Sequence, residues 1–143
     1  MSEEFDPLLL ENQLCFPLYA ASKALIRQYE PYLEPLGITY TQYIVLRVMW
    51  EKGSATVNEV GERVHLDSGT LSPLLQKLEA KGLIEKKRAE DGRCRLLTLT
   101  QEGMDLKEKA MEIPEKIGSC LGLDPIEGQQ LYALCYKVLR NLQ

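Results

Sequence analysis

The sequence lacks most of the residue patterns that support metal or hydrolytic chemistry. None of its four cysteines forms a Cys-x-x-Cys pair, and it has a single histidine, His65. Structural zinc sites draw their ligands from such pairs, so we expect neither a metal site nor a cofactor. One histidine without a nucleophile-elbow motif also argues against a serine hydrolase. No run of apolar residues is long enough to span a membrane.

Basic charge is also scarce. The 143 residues carry a net charge of −4, which argues against the diffuse coating of nucleic acid by a histone-like protein. A local basic patch remains possible, because recognition depends on the field near the bound surface. A hydrophobic content of 45% predicts one soluble globular domain over 1–143. The acidic, polar residues 1–7 do not resemble a signal peptide, so we expect a cytoplasmic protein whose thiols start reduced.

The first helix should be long and interrupted by proline. The Asp-Pro pair at 6–7 has the residue types of an N-cap and a first helical position. Apolar residues then recur at close to helical period over about 8–29. Pro17 predicts a kink just after Cys15, since an interior proline removes a backbone hydrogen bond. Pro31 and Pro35 should then end regular structure before Gly37.

Three further helices should begin at capping signals. A threonine followed three residues later by Gln or Glu forms a capping box at 39–42 and again at 56–59. A third start lies at 67–70, and Gly82 ends the leucine-rich helix that follows it. Pro73 is tolerated only in an opening turn, so it moves the expected start of this helix toward Thr70.

A hairpin and two more helices complete the predicted order. The segments 83–88 and 95–99 read as strands, and the Asp-Gly pair at 91–92 between them is a strong hairpin signal. Thr100 should cap a helix to about Lys116, and 124–127 should open the last one. Four helices, a hairpin and two helices predict a mainly α fold with a small β wing.

Two short helices followed by a basic hairpin predict a winged helix-turn-helix over about 38–100. The second helix should enter the major groove with polar residues outward. Between Lys77 and Arg95 the chain carries seven positive and four negative residues, so an anion should dock there. A solvated charged surface is the alternative for such a run. The predicted DNA-binding residues are Ser68, Thr70, Ser72, Gln76, Lys77, Arg88, Arg93 and Arg95.

Several segments resemble the MarR family of transcriptional regulators, over nearly the whole chain. The segment 66–79 (LDSGTLSPLLQKLE) is similar to the recognition helix of one branch, the organic hydroperoxide resistance regulators (OhrR). The segments 10–16 (LENQLCF) and 37–43 (GITYTQY) agree with the same branch. The resemblance implies a homodimer held by helices within about 6–36 and 101–143. It also implies repression through a pseudo-palindromic operator on double-stranded DNA.

The resemblance further implies that an organic hydroperoxide oxidises Cys15 and so acts as the inducer. In the family, tyrosines that match Tyr19, Tyr29 and Tyr40 hydrogen-bond the oxygen on this thiol. Some branch members have a second cysteine that forms a disulfide with the partner subunit, and Cys120 matches its location. Cys94 and Cys135 have no assigned role.

From the residues alone, the role of Cys15 stays open. It lies one helical turn before Tyr19, yet none of its close sequence neighbours is cationic, so a reactive and an inert buried thiol are equally compatible. Phe16 suits either a pocket for an apolar hydroperoxide or a core. One alternative function is therefore a MarR-type repressor released by a small phenolic or lipophilic ligand. Another is a thiol peroxidase, which the absence of alternating strands and helices disfavours.

Overall fold

The computed structural model describes residues 4–88 and 95–143 and places them in two compact units, Met1–Met111 and Glu112–Gln143. The helices of the first unit are α1 (Cys15–Leu33), α2 (Tyr40–Lys52), α3 (Val57–Val64), α4 (Ser68–Ala80) and α5 (Gln101–Ala110). Its strands are β1 (Ser54–Thr56), β2 (Ile84–Arg88) and β3 (Arg95–Leu99). The second unit contains α6 (Ile113–Cys120) and α7 (Pro125–Leu142). In the part of the chain that is described, every helix is too short or too polar to cross a membrane.

The start of the chain differs from the sequence prediction. Residues after Asp6 form a turn and a 3₁₀ helix, Leu10–Asn12, and the α-helix begins only at Cys15. The Asp6 carboxylate accepts from the Leu8 amide at 2.9 Å, so this residue closes a local turn instead of capping a long helix. Pro17 consequently falls in the first turn of α1, where a missing amide hydrogen costs nothing, and the predicted kink is wrong.

The prolines near the end of α1 also act differently. The helix continues through Pro31 to Leu33, and residues Glu34–Leu36 form a 3₁₀ turn that includes Pro35. Leu33 is 2% exposed, so its burial holds the last turn in place although Pro31 removes one backbone bond. The α-helix therefore ends one turn later than the predicted end near residue 29, and the chain turns at Gly37, which has a φ of 72°.

The helix starts of the winged lobe follow the capping signals. The Thr39–Gln42 box is complete. The Gln42 backbone amide donates to the Thr39 hydroxyl at 3.3 Å, and the Thr39 backbone amide donates to the Gln42 side-chain oxygen at 3.1 Å. The Thr56 hydroxyl caps α3 by accepting from the Glu59 amide at 3.1 Å. Asp67 accepts from the Thr70 amide at 2.8 Å and is the N-cap of α4. The expected shift of this start toward Thr70 is therefore wrong, and Pro73 lies within the helix.

The sheet contains one strand that the sequence did not reveal. Strands β2 and β3 pair as the predicted hairpin, and β1 pairs with the other edge of β3, giving the order β1-β3-β2. A three-residue strand is too short to show alternation, which explains why β1 escaped prediction. Ala55 of β1 lies opposite Leu97, and both are buried. The Asp-Gly pair at 91–92 lies outside the described residues.

Helix α2 runs through the centre of the winged lobe. Its residues Tyr43, Leu46 and Met49 are at most 2% exposed. Leucines at helical spacing on α4 supply much of the facing apolar surface, and the most buried of these are Leu71, Leu75 and Leu78. The core thus fixes α4 by one face and leaves the opposite face free for recognition.

The helix expected from Gln101 to about Lys116 is two helices. The first, α5, ends at Ala110, and α6 begins at Ile113 with Pro114 in its opening turn. Proline is favoured at such a position and disrupts a helix interior, so Pro114 divides the segment. Three helices rather than two therefore follow the hairpin. The helix start predicted at 124–127 is confirmed, and it carries a complete capping box in which the Glu127 amide donates to the Asp124 carboxylate at 2.9 Å.

Candidate functional site

The exposed face of α4 carries the polar residues that the sequence assigned to DNA. Asp67 caps the helix, while Leu71, Leu74, Leu75 and Leu78 bury its inner face. The five predicted contact residues on this helix are all exposed: Ser68, Thr70, Ser72, Gln76 and Lys77. Hydroxyl, amide and ammonium groups at these positions can meet phosphates or base edges in a major groove.

The wing adds positive charge beside this helix. Arg88 and Arg95 are directly paired across β2 and β3, and both are exposed. Arg88 is the last residue of β2, and Arg95 is the first residue of β3. Arg93 and Cys94 lie outside the described residues. The two arginines form a cationic pair suited to phosphate.

Lys81 belongs to the basic segment of the sequence but serves an internal purpose. Its Nζ donates to the Gly37 carbonyl at 2.5 Å and to the Gln42 Oε1 at 2.8 Å. Gln42 is 4% exposed and also completes the cap of α2. Lys81 therefore ties the end of the recognition helix to the start of α2. Sequence patterns missed this role because the partners lie far apart along the chain.

Cys15 is the first residue of α1 and is exposed. The unpaired backbone N–H groups at a helix N-terminus favour negative charge there. The thiol lies in a groove along one face of the helix, together with Leu18, Tyr19, Ser22, Lys23, Ile26, Arg27 and Glu30. Phe16 lies outside this set of lining residues and is 40% exposed.

The groove also contains the cationic side chains Lys23 and Arg27. The residues next to Cys15 in sequence supply no cation. Lys23 places its ammonium 5.4 Å from the centre of the Tyr19 ring. Cys15, Tyr19 and Lys23 follow each other at intervals of one turn, and helical side chains lean toward the N-terminus. The groove therefore combines a thiol, a phenol and an ammonium.

Tyr29 and Tyr40 form a separate cluster with Tyr43. The ring centres of Tyr29 and Tyr40 are 4.8 Å apart, and Tyr29 and Tyr43 are 5.6 Å apart. Trp50 meets Tyr43 edge-on at 6.2 Å. Burial, reinforced by the neighbouring tyrosines, raises the pKa of Tyr29 and Tyr40 above the ordinary value of 10.0. Both phenols therefore stay protonated and able to donate at neutral pH.

The structure separates these tyrosines from the thiol of the same chain. Tyr29 is fourteen residues after Cys15 on one helix, about 21 Å at the usual rise of 1.5 Å per residue. Tyr40 packs on Tyr29 and is distant too. Of the three tyrosines predicted to support Cys15, only Tyr19 shares its groove. Sequence reasoning also missed Tyr43 and Arg47, although their spacing from Tyr40 indicates one helix face.

Cys120 is the last residue of α6 and is exposed. The sequence predicted a loop here, between a helix ending near Lys116 and a helix start at 124–127. That prediction is wrong, because Cys120 belongs to the last turn of α6. Gly122, two residues later, has a φ of 68° and turns the chain toward α7. Cys135 is half-buried on α7. Within the described ranges, no group of three or more Cys, His, Asp or Glu side chains could hold a metal ion.

Large apolar side chains remain exposed on both terminal helices. On α1 they include Phe16, Leu18 and Ile26. No residue in the described helix α7 is buried. Its exposed apolar residues are Ile126, Leu131, Tyr132, Leu134, Tyr136, Val138 and Leu142. Apolar patches of this kind mark surfaces that another protein covers.

Comparisons with known proteins agree with this geometry. Residues 27–110 match the family of SarA/Rot transcriptional regulators. Over 99% of its length the chain is 47% identical to the organic hydroperoxide resistance transcriptional regulator of Bacillus subtilis strain 168, of which it covers 97%.

Solved structures of AbfR, a protein of Staphylococcus epidermidis, are also similar. Reduced AbfR bound to DNA matches with a TM-score of 0.79 and 36% identity, covering 94% of each chain. The disulfide form matches with a TM-score of 0.69 and 36% identity, covering 93% of this chain and 91% of AbfR. The chain therefore belongs to the MarR family of winged helix-turn-helix transcriptional regulators, in the branch of the organic hydroperoxide resistance regulators.

Proposed function

We propose that this regulator is a repressor which releases its operator when an organic hydroperoxide oxidises Cys15. The observation that carries the proposal is the exposed thiol at the start of α1, in one groove with Tyr19 and Lys23. The 47% sequence identity to a regulator of organic hydroperoxide resistance supports the choice of an organic hydroperoxide as the oxidant. The protein acts in the cytoplasm, where thiols are kept reduced until an oxidant arrives.

The chemistry needs only the thiol and the peroxide. The sulfur of Cys15 attacks the terminal peroxide oxygen, and the O–O bond breaks. The thiol becomes a sulfenic acid, and the hydroperoxide ROOH leaves as the alcohol ROH after taking up the thiol proton. The apolar groove residues Leu18 and Ile26 suit an organic R group.

The working form is a homodimer joined by the helices within 6–36 and 101–143. The exposed apolar residues of α1 and α7 supply the surface that a second copy covers. The two winged lobes, over about 38–100, are then related by two-fold symmetry. Each lobe presents one α4 to a half-site of a pseudo-palindromic operator, with half-sites roughly 10 bp apart.

Operator binding uses both elements of the winged lobe. The exposed α4 residues Ser68, Thr70, Ser72, Gln76 and Lys77 read the major groove. The paired Arg88 and Arg95, together with Arg93, hold phosphates and the minor groove.

In the dimer, the tyrosines that meet Cys15 come from the other subunit. Tyr29 and Tyr40 cannot reach the thiol of their own chain, because about 21 Å of helix separates them. Across a two-fold axis, the tyrosine cluster of one subunit can face the start of α1 of the other. Its phenols then donate to the oxygen added to the partner's Cys15.

Cys120 resolves the sulfenic acid by forming a disulfide with Cys15 of the partner subunit. The Cys120 thiol attacks the sulfur of the sulfenic acid, and water leaves. A disulfide needs Cα atoms within about 7 Å of each other, and we propose that the region around Cys120 moves to meet this requirement. The existence of a disulfide form of AbfR supports this step. That movement changes the spacing of the two α4 helices and lowers operator affinity.

Cumene hydroperoxide should release the wild-type protein from its upstream DNA, and cumyl alcohol should not. The alcohol has nearly the same shape but contains no O–O bond. The comparison therefore distinguishes release caused by oxidation from release caused by binding of a small molecule. Fluorescence anisotropy of labelled DNA measures release, and dithiothreitol should restore binding. Release by the alcohol at similar concentrations would instead support the ligand-released repressor.

Oxidised wild-type protein should run as a covalent dimer on a non-reducing denaturing gel, and Cys120→Ser should run as a monomer. The variant lacks the resolving thiol, so its Cys15 should progress to sulfinic acid and its release should resist dithiothreitol. Cys135→Ser is the matched control and should dimerise normally. A covalent dimer that persists in Cys120→Ser would exclude the proposed pairing.

A further inference from the structure

Arg47 lies against Tyr43, the buried ring of the tyrosine cluster. Its guanidinium carbon lies 5.5 Å from the centre of the Tyr43 ring. Its Nη1 also donates to the Tyr43 hydroxyl at 3.4 Å. Arg47 itself is exposed, so the charge stands at the edge of the cluster where another subunit can approach.

Tyr43 supports the two outer tyrosines. It is 2% exposed, and its ring centre lies 5.6 Å from Tyr29 and 6.3 Å from Tyr40. Trp50 fixes it from the other side, since the indole Nε1 donates to the Gly103 carbonyl at 2.8 Å. A ring held in this way leaves Tyr29 and Tyr40 few alternative positions.

We infer that Arg47 is a positioning residue of the peroxide sensor. Resting on the Tyr43 ring, it holds the platform beneath Tyr29 and Tyr40 and strengthens their hydroxyls as donors to the partner's Cys15. The inference rests on the proposed function, because it gives these tyrosines their target. Arg47 does not touch the sulfur itself.

The electrostatics of the cluster agree with this role. The titratable and charged groups that reach Tyr29 are Tyr40, Tyr43 and Arg47. Burial and the two tyrosines raise its pKa, and Arg47 alone among the three lowers it. For Tyr40, burial and then Tyr43 raise the pKa, and Arg47 again lowers it. By lowering these pKa values, Arg47 makes the two phenols more acidic. A more acidic phenol is a better hydrogen-bond donor to the negative oxygen that develops during attack on the peroxide.

Arg47→Gln should slow the oxidation of Cys15 by cumene hydroperoxide roughly two- to tenfold, the range that one hydrogen bond contributes. Loss of the free thiol in single-turnover reactions measures the rate. Arg47→Lys should recover most of it, since the cation remains. Lys109→Gln, an exposed charge change on α5, should react like the wild type. Operator affinity of reduced Arg47→Gln should be unchanged.

Tyrosine titration separates an electrostatic role from a merely structural one. In protein labelled at tyrosine Cζ, NMR follows Tyr29 and Tyr40 individually. If Arg47 acts through its charge, Arg47→Gln should raise their midpoints further above 10.0, since burial persists and the cation is gone. If the cluster merely opens, water enters and the midpoints fall toward 10.0, which overturns the inference.

The outcomes also separate this inference from the proposed function. An unchanged oxidation rate in Arg47→Gln, with wild-type protein still released by hydroperoxide, contradicts only the role of Arg47. Failure of hydroperoxide to oxidise Cys15 in the wild type contradicts the proposed function itself.

Discussion

The Cys15→Ser protein should remain on its operator at cumene hydroperoxide concentrations that release the wild type completely. Serine preserves the size of the side chain, but its hydroxyl has no thiolate chemistry with which to cleave an O–O bond. Cys15 belongs to α1 and not to α4 or the wing strands, so operator affinity without oxidant should be unchanged. The peroxide concentration for half-release should rise by about 100-fold or more.

Anisotropy of labelled operator DNA measures both quantities in one titration. Cys135→Ser is the control, because that thiol is half-buried on α7 and has no assigned role. It should be released like the wild type. Release of Cys15→Ser at wild-type concentrations would show that another residue senses the peroxide.

Gly103→Ala should destabilise the winged lobe by about 3 kcal/mol, the upper range for overpacking a core. A Cβ at this position would overlap the backbone carbonyl of Leu83 and lie 2.9 Å from a Leu99 methyl. Leu83 and Leu99 stand at the base of the wing, and the Gly103 carbonyl accepts the Trp50 indole bond. Helix α5 must therefore shift, and the wing and the aromatic cluster shift with it.

Thermal unfolding should show a fall in Tm of roughly 10 °C for this loss. Gly118→Ala is the matched control, because an added Cβ on α6 meets nothing within 4 Å. In an open helical position alanine is favoured over glycine, so that variant should be as stable as the wild type or about 0.5 kcal/mol more stable. A Tm for Gly103→Ala equal to that of Gly118→Ala would contradict the packing described for α5.

Local signals allowed much of the fold to be predicted from the sequence. Capping residues at Thr39, Thr56 and Asp124 lie where the structure begins α2, α3 and α7. These signals work because the bonds that they form span three residues. The split between α5 and α6 is also a local feature, because Pro114 lies in the opening turn of α6 and disfavours a continuous helix.

Features that depend on distant contacts were not predictable. The bond from Lys81 to Gly37 joins segments far apart in sequence, whereas the sequence alone counted Lys81 only as part of a basic segment. Strand β1 exists because β3 pairs with it, since three residues carry no pattern. The family resemblance identified Tyr29 and Tyr40, but only the length of α1 reveals that they cannot serve the thiol of their own chain.

The most direct measurement follows operator occupancy and the mass of Cys15 in the same samples of wild-type protein, titrated with cumene hydroperoxide. We predict that the fraction of DNA released equals the fraction of Cys15 found as sulfenic acid or disulfide at every point. Full release with Cys15 still a free thiol, or full oxidation with the DNA still bound, would contradict a repressor switched by this thiol.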